Sequence, residues 1–524
     1  MSRVVVIGGG IAGLASAGLL AREGHEVTLV EQREATGGRA YSWESDGFRF
    51  DMGPSWYLMP EVFDHFFKLL GTSAAEQLEL VQLDPGYRVI TQGHDEWTDI
   101  AATREENVAL FESIETGAGA KLERYLDSAL DTYEMAKKRF LYTSFQSFGP
   151  LLTTDVLKRT PKLVQLLLQN LDAYVARRFD DLRLRQVLGY PAVFLGSSPF
   201  DTPAMYHLMS HLDLADGVLY PMGGFTTLIE RIHAVAEQQG ASIRTSAPVA
   251  RILVDEATSA ARGVELVSGE IIEADIVVSA ADLHHTETQL LPPQFQSYPE
   301  EYWEPRNPGP SALLMYLGVK GELPNLEHHT LLFAADWREN FEAIFGPGTR
   351  LPEPASLYIC KPSGVDPSVA PEGHENLFVL VPAPADLSLG RGDVDGDGDT
   401  RLEAYADRII AQIAEWTRTP DLAERIVLRR TYGPGDFHAD LNAWRGSMLG
   451  PAHTLKQSAF FRTGNVSKKV RGLYYAGAST IPGIGLPMCL ISAEVLVKRL
   501  RGDTSTGPLP EPLEASRPAA APAA

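Results

Sequence analysis

The sequence predicts an α/β fold, in which a dinucleotide-binding domain of Rossmann type is joined to a second domain built on a mixed sheet. Three observations support this prediction. The first forty residues follow a strand, glycine turn, helix and strand pattern, residues 101–212 are mostly helical in pattern, and β-rich runs recur after residue 310. We therefore divide the chain into a discontinuous dinucleotide-binding domain (1–100, 213–300 and 463–502), a helical segment (101–212), a second domain (301–462) and a disordered tail (503–524).

The N-terminal unit carries the residue types that a dinucleotide requires. A β-branched run leads into Gly8, Gly10 and Gly13, a helical pattern follows, and a second apolar run ends in Glu31. Gly8 permits a tight turn, Gly10 lets the backbone approach a pyrophosphate, and Gly13 lets the helix contact the strand. Glu31 stands where such folds place the acid that accepts hydrogen bonds from a ribose. The ligand is predicted to be NAD or FAD.

The residues after Glu31 favour one of these two cofactors. A Gly-Gly-Arg extension contains Gly38 and Arg39, and Gly53 and Pro54 follow in a second segment. This pattern resembles the FAD-binding signature of the amine oxidase and carotenoid desaturase superfamily. The resemblance implies a fold like that of glutathione reductase, with Arg39 near the phosphates of FAD and with Gly53 and Pro54 near the flavin ring.

Charge and cysteine content exclude several classes of protein. The 524 residues carry a formal net charge of −22, which argues against nucleic acid as a partner. The two cysteines, Cys360 and Cys489, are far apart in the sequence and fit a reducing cytoplasm. Residues 472–493 are uncharged, but Pro482 and Pro487 and several glycines argue against a membrane span.

The helical segment has a composition unlike the rest of the chain. Residues 137–185 carry ten basic and four acidic side chains, with the aromatic run 140–152 between the basic clusters. Basic clusters beside aromatic residues are typical of a bilayer surface, so we expect this segment to dock on a membrane. A lid helix with a solvated face is the alternative.

Two further stretches complete the predicted cofactor site. Strand patterns resume after residue 240, and the family resemblance implies a backbone contact from Val249 to adenine. A short strand then leads through Gly477 and Gly485 into a helix that begins near Leu486. The N-terminus of that helix, placed below the N1–C2=O edge of the flavin, would stabilise the reduced ring.

Metal binding is not predicted. Residues 393–399 resemble a calcium loop, but Ala404 stands where the bidentate glutamate is required. The pairs His284-His285 and His328-His329 are sequence neighbours for which we expect no converging acids or cysteines, so metal binding is the minor interpretation.

The chain as a whole is identified as a member of the bacterial phytoene desaturase family, because matching segments extend from Gly8 to residue 493. Amine oxidases carry an acid after the glycine that corresponds to Gly477, whereas this chain has Ala478. The resemblance implies an FAD enzyme that introduces conjugated double bonds into phytoene or a related polyene. From the cysteine content and the basic, aromatic segment, we expect a cytoplasmic protein that is peripherally associated with the membrane, with oxygen or a quinone as electron acceptor. The alternatives are an amine oxidase, a carotenoid ketolase or isomerase, and a flavin-free prenyl-binding escort protein.

A hydrocarbon substrate has no acidic proton, so the expected reaction is hydride transfer to flavin N5 with loss of a neighbouring proton. The sequence contains no evident catalytic constellation for that proton. Asp155 and Arg159, at positions i and i+4 of a predicted helix, are weak candidates, and a surface ion pair is the simpler interpretation.

Overall fold

The computed structural model describes residues 1–146 and 154–514, without the side chains of residues 154–158 and 160. The strands of this part of the chain are β1 (Arg3–Ile7), β2 (Glu26–Val30), β3 (Ser42–Ser45), β4 (Phe48–Asp51), β5 (Leu80–Gln82), β6 (Tyr87–Thr91), β7 (Thr98–Ile100), β8 (Leu219–Pro221), β9 (Ser242–Arg244), β10 (Val249–Asp255), β11 (Ala260–Leu266), β12 (Ile271–Glu273), β13 (Ile276–Ser279), β14 (Ser311–Lys320), β15 (His329–Phe333), β16 (Leu357–Cys360), β17 (His374–Ala383), β18 (Ile426–Tyr432) and β19 (Leu473–Tyr475).

The α-helices alternate with these strands in the two domains and cluster in the segment between them. They are α1 (Ile11–Arg22), α2 (Pro60–Leu69), α3 (Ala74–Gln77), α4 (Arg104–Ile114), α5 (Ala118–Ala136), α6 (Thr154–Leu168), α7 (Leu171–Ala176), α8 (Leu182–Gly189), α9 (Met209–Leu214), α10 (Gly224–Gln238), α11 (Leu283–Gln289), α12 (Glu300–Trp303), α13 (Trp337–Phe345), α14 (Thr400–Trp416), α15 (Leu422–Arg425), α16 (Pro434–Leu441) and α17 (Leu486–Arg501).

A five-stranded parallel sheet, in the order β19-β13-β1-β2-β9, forms the centre of the first domain. Its strands are short and apolar because helices cover them, and Val4 pairs with both Val27 and Ile276. Helix α1 follows β1 directly and packs against α10 and α17. A three-stranded antiparallel sheet, β10-β11-β12, adjoins this core. The predicted strand, turn, helix and strand unit is β1-α1-β2, and the predicted α/β class is confirmed.

A seven-stranded mixed sheet, in the order β18-β14-β17-β16-β15-β6-β7, forms the second domain. Alternate residues of β14 point to opposite faces, so Leu313 and Met315 pack with α14 while Leu314 and Tyr316 face the interior between the domains. Strands β6 and β7 lie within the range 1–100 that we predict for the first domain, yet they join this sheet through β15. Their sequence contains no signal for this long-range pairing.

The segment from α4 to α9 is helical, as predicted. Helix α5 packs on α4 and α9, and its buried side includes Leu122, Leu126 and Tyr133. Within residues 1–146 and 154–514, none of the helices combines the length and apolar character that a bilayer crossing requires.

The prediction that residues 503–524 are disordered is wrong for residues 503–514. Leu509 and Leu513 are buried in the core of the first domain, and the Leu513 N–H donates to the Leu69 carbonyl at 2.9 Å. The buried Lys498 ammonium donates to the carbonyls of Ser505 and Gly507 at 2.8 and 2.6 Å. Two leucines in a proline-rich stretch are enough to hold this extension against the domain. Residues 515–524 lie outside the described residues.

Candidate functional site

The glycine loop between β1 and α1 has the geometry that its residue types predict. Gly8 has a φ of +97°, and a Cβ on Gly13 would lie 1.9 Å from the Gly8 carbonyl oxygen. A Cβ on Gly10 meets no described protein atom closer than 3.8 Å, at the Gly38 Cα. Since packing does not demand glycine at position 10, the open space beside it fits a ligand that lies against the backbone. Helix α1 begins here without a side-chain cap, so its N–H groups are available to an anion.

Glu31 is held at the end of β2 beside this loop. Its Oε2 accepts a hydrogen bond from the Gly9 N–H at 2.6 Å, and its Oε1 accepts one from the Arg33 N–H at 2.9 Å. The side chain is buried and lines the same cavity as Gly8 and Gly10. The remaining lone pairs of the carboxylate suit the two hydroxyls of a ribose.

The Gly37-Gly38-Arg39 extension contacts the glycine loop between β1 and α1. The Gly37 N–H donates to the Gly9 carbonyl at 2.9 Å, and a Cβ on Gly53 would lie 2.4 Å from the Arg39 carbonyl oxygen. The Arg39 guanidinium donates to the Met448 carbonyl at 2.8 Å, so this side chain ties the first domain to the second. Gly38, Arg39, Gly53 and Pro54 all line the cavity.

The C-terminal part of the site is the loop between β19 and α17. Gly477 and Gly485 have φ angles of +113° and +117°, and Gly477, Gly485 and Leu486 line the cavity. Helix α17 begins at Leu486 with no side-chain cap, and its first turn faces the same space. The positive end of the helix dipole therefore points into the cavity, which favours an anionic ring there.

Arg462 supports this loop from behind. The buried guanidinium donates to the carbonyls of Thr480, Pro451, Gln457 and Ala478, and burial lowers its pKa to about 10. The sequence contains no signal for this role, because the partners are backbone carbonyls of two separate loops.

Val249 opens β10 and lines the same cavity as Glu31 and Ala247. The Ala247 N–H donates to the Glu31 carbonyl at 2.8 Å, which fixes this edge. The predicted cofactor residues therefore share one cavity. They are Gly8, Gly10, Glu31, Gly38, Arg39, Gly53, Pro54, Val249, Gly477, Gly485 and Leu486. Gly13 lies behind them at the contact between helix and strand.

A comparison with known families agrees with this geometry. The family model described as "flavin containing amine oxidoreductase" matches residues 11–496 of this chain. The chain belongs to the flavin-containing amine oxidoreductase family. Its cofactor is FAD, and the open space at Gly10, the uncapped start of α1 and the Glu31 carboxylate fit the pyrophosphate and ribose of that molecule.

Sequence relatives place the chain in the carotenoid desaturase branch of this family. A carotenoid 3,4-desaturase from Haloarcula japonica is 41% identical over 502 residues, which cover 95% of this chain and 98% of the relative. A zeta-carotene-forming phytoene desaturase from Myxococcus xanthus is 34% identical over 95% of this chain and 93% of its own. The chain is thus an oxidoreductase that acts on CH–CH bonds.

A solved structure of an oxidoreductase from Methanosarcina mazei has the same fold. Its TM-score is 0.62 at 18% identity, and the match covers 95% of this chain and 100% of that one. At this identity the likeness supports the architecture alone.

The FAD cavity continues into an apolar region beyond Pro54. This region is lined by side chains from the interior face of the mixed sheet and from α13, namely Leu314, Leu331, Phe333, Trp337, Phe341, Ile344 and Leu380. Residues of the helical segment, including Tyr133, Leu141 and Leu212, close another side. The apolar region is therefore formed where the sheet, the FAD domain and the helical segment meet.

Trp56 is the centre of an aromatic cluster in this region. Its ring stacks on His329 at 4.2 Å between centroids and has edge contacts with Tyr87 at 5.3 Å and Phe194 at 5.5 Å. Trp56 lies two residues after Pro54, so the cluster begins next to the predicted flavin segment. Sequence reasoning did not identify Trp56, because its partners come from four distant elements.

The weak catalytic candidates of the sequence are not brought to the cavity by any described contact. Arg159 is on the surface, where it donates to Asp131 at 2.9 Å, and it is not among the cavity-lining residues. The Asp155 side chain lies outside the described residues. The ion pair that we predict between them therefore stays a prediction.

The paired histidines have different surroundings. His284 Nε2 lies 2.8 Å from Glu300 Oε2. His328, His329 and Cys360 are buried, and the atoms with which they could bind a metal lie within 4.8 Å of one another. The sequence shows no cysteine beside His328 and His329, but the pairing of β15 with β16 places Cys360 opposite His329. The absence of a metal site stays a prediction.

Proposed function

We propose that this protein is an FAD-dependent desaturase that introduces conjugated double bonds into an acyclic forty-carbon carotenoid precursor, with phytoene as its substrate. The observation that carries the proposal is the continuity of the cavity, which extends from the glycine loop past Pro54 into a region lined by Leu314, Leu331 and Phe333. A polyene offers few polar groups, so its binding depends on apolar contact along its length.

Bound FAD supplies the acceptor for the hydride that leaves an allylic carbon of the polyene. The protein positions the carbon chain beside that acceptor, excludes water through its aromatic side chains and receives the proton that leaves the neighbouring carbon. The start of α17 and the buried Arg462 add positive potential below the loop that holds Gly477 and Gly485. Oxygen or a quinone then takes up the two electrons.

The relatives also favour a second candidate of the same class. The 41% identical relative is named a carotenoid 3,4-desaturase, so a polyene that already contains conjugated bonds is the alternative substrate. Amine oxidation is less well supported, because Ala478 replaces the acid that follows the corresponding glycine of amine oxidases in the family pattern.

The test is reconstitution of the FAD-loaded protein with liposomes that contain phytoene, lycopene or an amine, followed by chromatography and visible spectra. New absorption bands from phytoene would support the first substrate, and a longer polyene from lycopene alone would support the second. Hydrogen peroxide formation with an amine, without conversion of either polyene, would contradict both.

Membrane docking of the helical segment is part of the proposal. Several of the basic residues are paired with acids, because Lys137 contacts Glu61 and Glu134, while Arg159 and Lys162 contact Asp131. Tyr142 is buried, which removes it from the expected set of interfacial anchors. Residues 147–152 of the aromatic run, including Phe148, and the Lys158 side chain lie outside the described residues.

Exposed apolar side chains support membrane docking more strongly than the basic residues do. Val164 and Leu168 on α6 are 46% and 75% exposed, and Phe461 is 66% exposed. Phe145 contacts Phe460 at 4.2 Å between ring centroids, so the loop that carries Phe461 adjoins the helical segment. We infer a docking surface formed by α6 and the loop around Phe461, with basic side chains nearby.

A further inference from the structure

A buried carboxylate is hydrogen-bonded to one of the residues that line the cavity. The Oδ2 atom of Asp213 on α9 accepts a hydrogen bond from the Tyr190 hydroxyl at 2.8 Å and one from the Tyr87 hydroxyl at 2.9 Å. Asp213 is 3% exposed, and the two tyrosines are equally buried. The three residues come from the end of the helical segment, from β6 of the mixed sheet and from the turn after α8.

The second oxygen of this carboxylate is unusual. Asp213 Oδ1 is buried and has no hydrogen-bond partner among the residues that the structure describes. A buried acceptor without a donor is costly, and a catalytic role is one explanation for such a group. Oδ1 therefore has a free lone pair that a proton can occupy.

The surroundings of Asp213 favour its protonated form near neutral pH. Burial raises its pKa to about 7, against the opposing effect of the hydrogen bonds from Tyr190 and Tyr87. Burial also raises the pKa of both tyrosines, so they remain neutral phenols. A further titratable group near it is Tyr125, whose pKa is raised by burial and, to a smaller extent, by the charge of Asp213.

Tyr190 connects this carboxylate to the cavity. It is one of the cavity-lining residues, and its ring lies 6.2 Å from that of Trp56 and 5.6 Å from that of Phe194 between centroids. Trp56 in turn follows Gly53 and Pro54 on the segment that faces the FAD site. Tyr190 thus lines the apolar cavity and donates its hydroxyl hydrogen bond to Asp213.

We propose that Tyr190 and Asp213 form the route by which the proton leaves the polyene during desaturation, with Tyr190 as the catalytic residue and Asp213 as the positioning residue that retains the proton. This inference rests on the proposed function and names the group that the sequence does not reveal. Tyr87 holds the carboxylate in place from the other side.

In the proposed step, one allylic C–H bond of the polyene would break and its electron pair would leave as hydride to the oxidised flavin of bound FAD, so the substrate would be oxidised and the cofactor reduced. The adjacent C–H bond then breaks, and its electron pair forms the new C=C bond. Its proton goes to the Tyr190 oxygen, while the hydroxyl proton of Tyr190 passes to Asp213 Oδ2. Asp213 releases the proton to solvent before the next cycle, and oxygen or a quinone reoxidises the cofactor.

The experiment measures polyene conversion by the FAD-loaded protein in liposomes between pH 5.5 and 8.5. Wild-type activity should rise with pH, with a midpoint near the Asp213 pKa of about 7. Asp213→Asn should lose about 100-fold or more in rate and lose this pH dependence. Tyr190→Phe should behave in the same way. Tyr87→Phe removes a hydrogen bond that favours the carboxylate, so its pH midpoint should move to a higher pH than that of the wild type.

Tyr405→Phe is the matched control, because Tyr405 is an equally buried tyrosine whose hydroxyl donates to the Pro352 carbonyl far from the cavity. Its pH midpoint should equal that of the wild type. FAD content and thermal unfolding check that each variant folds. Infrared difference spectra of the wild type against Asp213→Asn add a readout without turnover, in which a buried carboxyl band should titrate near pH 7.

The outcomes separate this inference from the proposed function. Failure of the wild type to convert any polyene overturns the proposed function. An active wild type whose pH profile is retained in Asp213→Asn overturns the proton route, and so does a carboxyl band that titrates near pH 7 in Asp213→Asn as it does in the wild type.

Discussion

The Oε2 atom of Glu31 accepts a hydrogen bond from the Gly9 N–H at 2.6 Å, which links the acid at the end of β2 to the middle of the glycine loop. The same carboxylate accepts from the Arg33 N–H, so it is fixed before any ligand binds. The two parts of the cavity that we propose for ribose and pyrophosphate are therefore preorganised together.

Glu31→Gln should weaken FAD binding. The amide can present its oxygen to only one of the two backbone N–H groups, and its NH₂ group then faces the other donor. We expect the dissociation constant of FAD to rise about 10-fold or more, since hydrogen bonds to charged groups contribute about 1.5–3 kcal/mol. Fluorescence titration of the apoprotein measures this, and an unchanged constant would contradict the role of Glu31.

Gly10→Ala should lose FAD and remain folded. Its added methyl group meets no described atom closer than 3.8 Å in the protein, but it occupies the space where the pyrophosphate approaches the backbone. Gly13→Ala is the contrasting variant, because its Cβ would lie 1.9 Å from the Gly8 carbonyl oxygen and must disrupt the contact between helix and strand. Flavin content after gel filtration and circular dichroism separate the two effects. Full flavin retention in Gly10→Ala would show that the loop is wrongly assigned.

The extension at residues 503–514 should make stability depend on pH through His65. Burial lowers the pKa of His65, but the carboxylates of Glu494 and Glu511 outweigh it, so the pKa is raised above its usual value of 6.5. The protonated form is stabilised in the fold, so this contribution is complete below pH 6.5 and is lost as pH rises through the folded pKa.

The measurement is the melting temperature of wild type and His65→Gln between pH 6 and 9. The difference between the two proteins should be largest at the acidic end and shrink as pH rises. Other buried histidines titrate in both proteins and cancel in this difference. A difference that is constant with pH would contradict the ionic link between His65, Glu494 and Glu511.

Membrane binding should depend more on exposed apolar residues than on the basic clusters. Leu168→Ser with Phe461→Ser should weaken co-sedimentation with anionic liposomes, because two interfacial anchors are removed. The matched control is Val267→Ser with Val427→Ser, which changes two exposed residues that are 66% and 54% exposed on other surfaces.

A second variant replaces the basic residues at positions 137, 138, 139, 158, 159 and 162 with glutamine. It should lose less liposome binding than the Leu168→Ser, Phe461→Ser variant, because three of these side chains already have acidic partners. The difference from the wild type should disappear in high salt. Equal binding by all of these variants and the wild type would place the docking surface elsewhere.

Much of the cofactor site is predictable from the sequence, because its residues follow one another in local patterns. Gly8, Gly10, Gly13 and Glu31 lie in one strand, turn, helix and strand unit, and the loop before α17 is equally local. The physical reason is that a backbone cradle for phosphates needs glycine at set spacings.

The rest of the site depends on contacts between distant residues. Asp213 is 126 residues from Tyr87 and 23 from Tyr190, and no periodic pattern joins them. The pairing of β6 with β15 and the packing of Leu513 against the core are likewise tertiary effects. Composition predicts disorder for residues 503–514, because a proline-rich stretch with only two leucines has the same composition as a disordered tail. The packing of those two leucines cannot be read from composition.

The most direct test of the account is anaerobic mixing of the oxidised holoenzyme with liposomes that contain phytoene. We expect the flavin absorbance to bleach as a more conjugated polyene forms, with one new double bond for each FAD reduced and with no requirement for NAD. If the flavin stays oxidised in the presence of phytoene and lycopene, or if the product forms without flavin reduction, the assignment of this protein as an FAD-dependent carotenoid desaturase is contradicted.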